Sequence, residues 1–390
     1  MASQSESNAS ETTRSETTRR DLVKTAATAA AGFTIVNASA VRGTAQNSKV
    51  QVGLLGAGRR GSRVSRYFVQ NENSEMTALA DVYDDQLEAS KKTLKIDQIQ
   101  TYKSAGAILD ADIDAVYIAT PPWLHPEHFE LAVNSGKHIL MEKPVAVDSA
   151  GVRRVLAAAK KLKPGQVVVV DFQQRYGNHY IEAFERLGEI GEIGMVRSAW
   201  IGSGLPLREG HDGIEEKIRN WLFYKERGGD IIVEQNCHNL DVVRWFTGVH
   251  PVSANGFAHR AFRTDIGDIV DTFAVNYKLP DGRVYSHSGN QICARGGYKD
   301  VGEYFMGRDG VISTTRQGYH IQMGGEDPVF RKADYDITKD VIDKFVQGVR
   351  GEIPAQNDVV EACESTLTGI MGRVAYETGR TVTWDEVLNM

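Results

Sequence analysis

Cysteine is scarce in this chain. Three residues in 390, Cys237, Cys293 and Cys363, form at most one bridge, which excludes a disulfide framework. None stands in a Cys-x-x-Cys or Cys/His spacing, so a cysteine-built zinc site is not expected, and no metal is expected elsewhere. A basic surplus is also missing. Lys plus Arg is 45 against 51 for Asp plus Glu, a formal net charge of −6, which excludes a generally basic, nucleic-acid-coating surface. No run beyond residue 40 is long and apolar enough for membrane insertion. What remains is ordinary for a soluble globular protein: 41% hydrophobic and 25% charged residues. The length predicts two domains with a tail.

Residues 1–48 read as a leader. The first twenty are polar and rich in Ser, Thr and Glu, a composition of disorder. Thr18-Arg19-Arg20-Asp21-Leu22-Val23-Lys24 then precedes a mildly apolar run ending in Ala38-Ser39-Ala40. Paired arginines, a weak apolar stretch and an A-x-A site resemble a twin-arginine export signal. That predicts a periplasmic protein exported already folded. The alternative is a flexible Ala-rich tail on a cytoplasmic protein.

Residues 49–170 read as a Rossmann dinucleotide-binding domain. Lys49–Leu55 is a strand-type apolar run, followed by Gly56-Ala57-Gly58-Arg59-Arg60-Gly61 and a helical segment. A GxGxxG between a strand and a helix is the context in which the motif binds a dinucleotide. Gly56 permits the tight turn, Gly58 lets a pyrophosphate approach the backbone, and Gly61 lets helix and strand pack closely. Asp81 ends the second apolar run, twenty residues after Gly61. A carboxylate there accepts from the ribose hydroxyls and repels a 2′-phosphate, which favours NAD. Arg59 and Arg60 keep NADP open, since either guanidinium could stack on adenine or meet a 2′-phosphate. Further strand-type runs at 115–119, 138–141 and 167–170, with helical segments between, predict a parallel sheet. Ligands in such sheets bind at the strands' carboxyl ends. Gly56, Asp81, Thr120-Pro121 and Glu142-Lys143 fall there, with His125 in the following loop. The proline between His125 and His128, with no third ligand nearby, argues against a metal pair.

The series GxGxxG, Asp81, Thr120-Pro121-Pro122…His125 and Glu142-Lys143-Pro144 resembles the glucose–fructose oxidoreductase / inositol 2-dehydrogenase / MocA (Gfo/Idh/MocA) family, over nearly all of residues 49–390. A second signature is Gly228-Gly229-Asp230-Ile231-Ile232-Val233-Glu234-Gln235-Asn236-Cys237-His238-Asn239-Leu240-Asp241. Here Glu234 replaces the Asp commonly found four residues before the histidine. The resemblance implies a second domain at 171–390, with α+β architecture and an open, mostly antiparallel sheet that covers the active site and often forms an oligomer interface. It implies an NAD(P)-dependent oxidoreductase acting on a sugar or cyclitol, with Lys143 and His238 as the catalytic pair and a cis bond before Pro144.

The residues themselves are consistent with that chemistry. Alcohol oxidation needs a base and a group that stabilises the developing alkoxide. His238 is the natural base and Lys143 the stabilising donor, with Glu234 or Asp241 to orient the imidazole. Residues 230–247 read as one helix, which puts Glu234, His238, Asp241 and Trp245 on one face. Gln173, Arg175 and Tyr176 follow the last Rossmann strand, so they are expected to face substrate, as are one or two of Trp200, Trp221, Tyr224 and His287. Phe273–Lys278 and Arg283–Ser288 alternate about Pro280-Asp281-Gly282, a hairpin. Two other readings stand beside the dehydrogenase. One is an NAD-dependent glycosidase that oxidises transiently and eliminates. The other is a non-catalytic sugar- or nucleotide-binding protein, which the presence of both Lys143 and His238 disfavours.

Overall fold

A computed structural model describes residues 49–334 and 336–390. The expected export signal lies outside the described residues. Residues 49–390 form one compact unit.

Its first sheet has six strands: β1 (Val50–Leu55), β2 (Ser74–Ala80), β3 (Gln100–Tyr102), β4 (Ala115–Ile118), β5 (His138–Met141) and β6 (Val168–Val170). They are all parallel, in the order β3-β2-β1-β4-β5-β6. Helices cover both faces, so the central strand β4 and the edge strand β6 are buried at every residue and read as unbroken apolar runs. The helix α1 (Arg59–Gln70) follows β1. Gly61 sits in its first turn, where a Cβ would lie 2.2 Å from the Gly56 carbonyl oxygen. That contact is why close helix–strand packing requires glycine here.

The second sheet has nine strands. Its members are β7 (Ile193–Ile201), β8 (Ser253–His259), β9 (Thr272–Lys278), β10 (Val284–Asn290), β11 (Asp300–Gly307), β12 (Gly310–Thr315), β13 (Gly318–Met323), β14 (Val329–Lys332) and β15 (Val382–Thr383). The order is β14-β13-β12-β11-β7-β10-β9-β8-β15. Only β7 and β10 pair in parallel. The β9–β10 hairpin forms as the sequence predicts.

The helix α2 (Cys237–Thr247) lies against this sheet and carries His238. It does not begin at Asp230. A separate turn, Ile231–Glu234, precedes it, and Gln235-Asn236 breaks the run. Asp230 has φ +78° and its carboxylate caps Ile231. The single-helix reading of 230–247 is therefore corrected, and its common face with it.

Two later helices return to the first sheet. Phe345 of α3 (Ile337–Val349) meets Phe68 edge-on at 6.2 Å, in the same core as Val52, Leu54 and Tyr117. The segment leading into α4 (Val359–Thr378) covers the free edge of β6, where the Val168 N–H donates to the Gln356 carbonyl and the Val170 N–H to Asp358. An otherwise unpaired sheet edge is thereby closed. No helix among the described residues is long and apolar enough to cross a membrane.

Candidate active site

The carboxyl end of the first sheet opens into a cavity of about 910 Å³, within the range of small-molecule sites. One wall is the glycine loop. Gly58 caps α1 with no side chain to satisfy the first-turn N–H groups, and nothing lies within 4 Å of where its Cβ would be. The amides of a twelve-residue helix thus face open space, as a diphosphate requires. Gly56 makes the turn with φ +99°, where a Cβ would lie 2.6 Å from the Ala119 and Thr120 backbone. Asp81 accepts from the Ala57 N–H at 3.0 Å and the Tyr83 N–H at 3.0 Å, and it borders the cavity. Its remaining lone pairs are available to a ribose. These features fit a dinucleotide: Gly56, Gly58, Arg59, Asp81, Thr120 and Pro121 would hold it.

Of the opposite wall the sequence singles out only Trp221, and for the substrate rather than the nucleotide. Leu205, Arg208, Arg219, Trp221 and Arg227 of the second half line the same cavity. Arg219 donates to both Asp85 oxygens at 2.9 and 2.8 Å and lies 4.1 Å over the Tyr83 ring. Those bonds hold the Asp85 carboxyl down at about 2. Arg227 lies 4.7 Å over Trp123. The segment is pinned across the nucleotide cleft at both ends. Residues 202–212, which lead into it, are a long irregular stretch of the kind that serves binding sites.

The two residues expected to be catalytic, Lys143 and His238, do not line this cavity. The Lys143–Pro144 bond is cis. The Lys143 ammonium donates to the Glu234 carbonyl at 2.6 Å and to its carboxylate at 2.9 Å. Burial opposes the charge, but Glu234, Cys237 and Glu142 together outweigh it and keep the lysine pKa above its ordinary value. His238 is 6% exposed. Burial first, then the charges of Lys143, Arg316 and Arg60, holds its pKa well below that of an ordinary imidazole. These causes favour the neutral imidazole, the form that can accept a proton. Trp200 stacks on it at 5.9 Å and Phe172 meets it edge-on at 6.2 Å.

Several expected roles are corrected. Neither acid orients His238, since Glu234 serves Lys143 and Asp241 is fully buried against Arg175 (2.8 and 2.6 Å) and Ser365 (2.7 Å). Among the described residues the His238 Nδ1 has no hydrogen-bond partner, and its Nε2 lies 3.4 Å from the Arg316 guanidinium. Arg175 and Asp241 are thus an internal brace rather than substrate contacts. The Tyr176 hydroxyl is spent on Asp358. Gln173 is 1% exposed, with its amide oxygen turned toward Arg60. Arg60 borders the cavity, but its guanidinium is tied to Glu142 and Asp171 at 2.6 Å each, so it is not free for adenine or a 2′-phosphate. Glu142 also accepts from Tyr117 and lies behind the wall. His125 is buried and bridges the Pro144 and Thr120 carbonyls, which fixes the loop. His128, not His125, borders the cavity. Ala57, Gly61 and Lys143 support the site without forming that wall. Of the aromatic candidates, Trp200 reaches His238 and Trp221 faces the nucleotide cleft. Tyr224 bonds Glu216, and His287 is buried between Ser198 and Asn236. Among the described residues, no group of three His, Cys, Asp or Glu is placed to hold a metal ion.

Comparison with known proteins agrees with this geometry. Residues 50–172 match a family described as an oxidoreductase family with an NAD-binding Rossmann fold. Residues 181–313 match the GFO/IDH/MocA C-terminal domain. The chain is 30% identical to inositol 2-dehydrogenase of Rhizobium meliloti over 230 residues, 59% of this chain and 64% of that protein. It thus spans a little under two thirds of the length of that curated relative. Among solved structures it is similar in fold to myo-inositol 2-dehydrogenase from Lactobacillus plantarum, with a TM-score of 0.70 and 23% identity over 86% of this chain and 99% of that one. A similar match, with a TM-score of 0.68 and 19% identity over 87% of this chain and 100% of the other, is scyllo-inositol dehydrogenase from Lactobacillus casei, solved with NAD(H) and scyllo-inositol.

Proposed function

The chain belongs to the Gfo/Idh/MocA family of NAD-binding oxidoreductases, and from that premise we propose that it oxidises or reduces a secondary alcohol of a sugar, cyclitol or sugar derivative. One observation carries the reading. Lys143, two residues past β5, and His238, whose ring meets Phe172 two residues past β6, stand at the carboxyl end of the dinucleotide-binding sheet. The named relative, an inositol 2-dehydrogenase, supports the substrate class.

When bound, the nicotinamide supplies hydride chemistry. The chain supplies the rest. His238 takes the hydroxyl proton, and its lowered pKa keeps it unprotonated until that step. Lys143 donates a hydrogen bond to the reacting oxygen and offsets its developing charge. Glu234 fixes the ammonium by two contacts, so little reorganisation accompanies the reaction. Trp200 offers a flat face beside the imidazole for a ring.

The test is a panel of cyclitols, hexoses and their derivatives, read at the nicotinamide absorbance, with the natively purified protein first assayed for bound nucleotide. Reduction of NAD by at least one member is expected. If free sugar is instead released from an aryl glycoside with no net redox change, the transient-oxidation glycosidase is the better reading.

The pinned outer wall supports a tightly held cofactor, which an exported enzyme would need where free NAD is scarce. Exchange requires the Arg219–Asp85 and Arg219–Tyr83 contacts to open. A bidentate pair plus a ring contact is worth ~1–2 kcal/mol. Arg219→Ala is therefore expected to release NAD roughly tenfold faster in a stopped-flow chase. An unchanged off-rate would mean that this wall packs against the cleft without latching it.

A further inference from the structure

Every cation around His238 but one has an acid partner. Lys143 is paired with Glu234, Arg60 with Glu142 and Asp171, and Arg175 with Asp241. Arg316 has no carboxylate partner among the described residues, is exposed, and touches the base: its Nη2 lies 3.4 Å from the His238 Nε2.

Its placement is built rather than incidental. Arg316-Gln317 is the two-residue turn between β12 and β13, closed by the Thr315–Gly318 pair. The Thr315 carbonyl is bonded by His179 at 3.1 Å. One strand residue earlier, Thr314 donates to Glu303 at 2.6 Å, and Glu303 accepts from Asn239 at 2.7 Å. Asn239 is the neighbour of His238 on α2. A fully buried bridge, Thr314–Glu303–Asn239, thus ties the strand bearing Arg316 to the helix bearing the base.

We propose that Arg316 is a specificity-determining residue that binds an oxyanion of the substrate, so that the sugar or cyclitol handled here carries a carboxylate or a phosphate. This rests on the oxidoreductase reading above and names its substrate class. A guanidinium offers a planar fork that matches two oxygens of either group. A neutral sugar would leave the guanidinium to water, with no anion to pair it. The His238 contact is long for a hydrogen bond, so an arriving anion draws the guanidinium away easily. That movement frees the Nε2 lone pair to take the hydroxyl proton, and it links substrate charge to readiness of the base.

The experiment uses the full NAD-loaded protein. Neutral hexoses, their hexuronates and their phosphates, in several ring configurations, are titrated by calorimetry and followed at the nicotinamide absorbance. At least one charged sugar is expected to bind about tenfold or more tighter than its neutral counterpart. Whether the uronate or the phosphate does so identifies the anion. Arg316→Gln is expected to bring that ratio to near one, Arg316→Lys to keep part of it, and both to retain NAD as the parent does. Equal binding of neutral and charged sugars, no binding of any charged sugar, or a ratio that survives Arg316→Gln would each overturn the proposal. Charge-selective binding that Arg316→Gln abolishes, with no absorbance change for any sugar, would uphold Arg316 and overturn the oxidoreductase reading instead.

Discussion

His238→Asn lowers kcat by about 10²–10⁴, the usual contribution of a positioned acid–base group, while the protein still binds NAD. The asparagine keeps the size of the side chain and loses the proton acceptor. The parent enzyme should also show an unusual pH profile. A free imidazole is half protonated near pH 6.5. In His238 burial, together with the charges of Lys143, Arg316 and Arg60, moves that point well down. A base works in its neutral form, so a lowered pKa moves the acid limb of kcat/KM to lower pH. The profile is therefore expected to pass through pH 6.5 without the inflection of an ordinary histidine. Adding Arg316→Gln removes one of the depressing charges and should move the limb back upward. If His238→Asn keeps kcat within tenfold of the parent, the proton goes elsewhere.

The first sheet was legible because its chemistry is local. Buried parallel strands read as short apolar runs, and Gly56 and Gly61 are required by nearby backbone atoms, while Gly58 keeps open the space a ligand would enter. The second sheet was half legible. The strands β7, β9 and β10 alternate or run apolar, whereas β14 is exposed at all four residues and carries no pattern. The site divides in the same way. Lys143 and His238 stand in motifs. Their surroundings do not, because the partners lie far off in the chain: Arg60 meets residues 82 and 111 positions away, Asp241 meets Ser365 across 124, and Arg316 reaches His238 across 78. Helical spacing also misled where the helix is not continuous. The break at Gln235-Asn236 aims Glu234 at Lys143, while Trp245 stacks on Phe184 at 5.2 Å.

Asp241 separates the two ways of reading this helix. As a substrate ligand its loss would raise KM and leave stability alone. The observed contacts imply the reverse. Its carboxylate is 0% exposed, accepts two bonds from Arg175, whose side chain is 13% exposed, and takes a third from Ser365 of α4. The pair joins the segment after β6, α2 and α4, so it braces the helix bearing His238 against the rest of the unit. Deleting one partner of a buried ion pair costs about 3–5 kcal/mol, mostly because the other charge stays buried alone. Burial opposes the Arg175 charge, yet Asp241 keeps the guanidinium pKa above its ordinary value. A guanidinium keeps its proton in proteins, so Arg175 stays charged when Asp241 is removed, and Asp358 offsets only part of it. Asp241→Ala is expected to lower the melting temperature by roughly 5–15 °C. Asp241→Asn should lower it less, since the amide oxygen still accepts from Ser365. Below the transition, both variants should bind substrate with KM within about threefold of the parent, because no atom of Asp241 is exposed to it. A KM raised a hundredfold at unchanged melting temperature would put the carboxylate back in the substrate site.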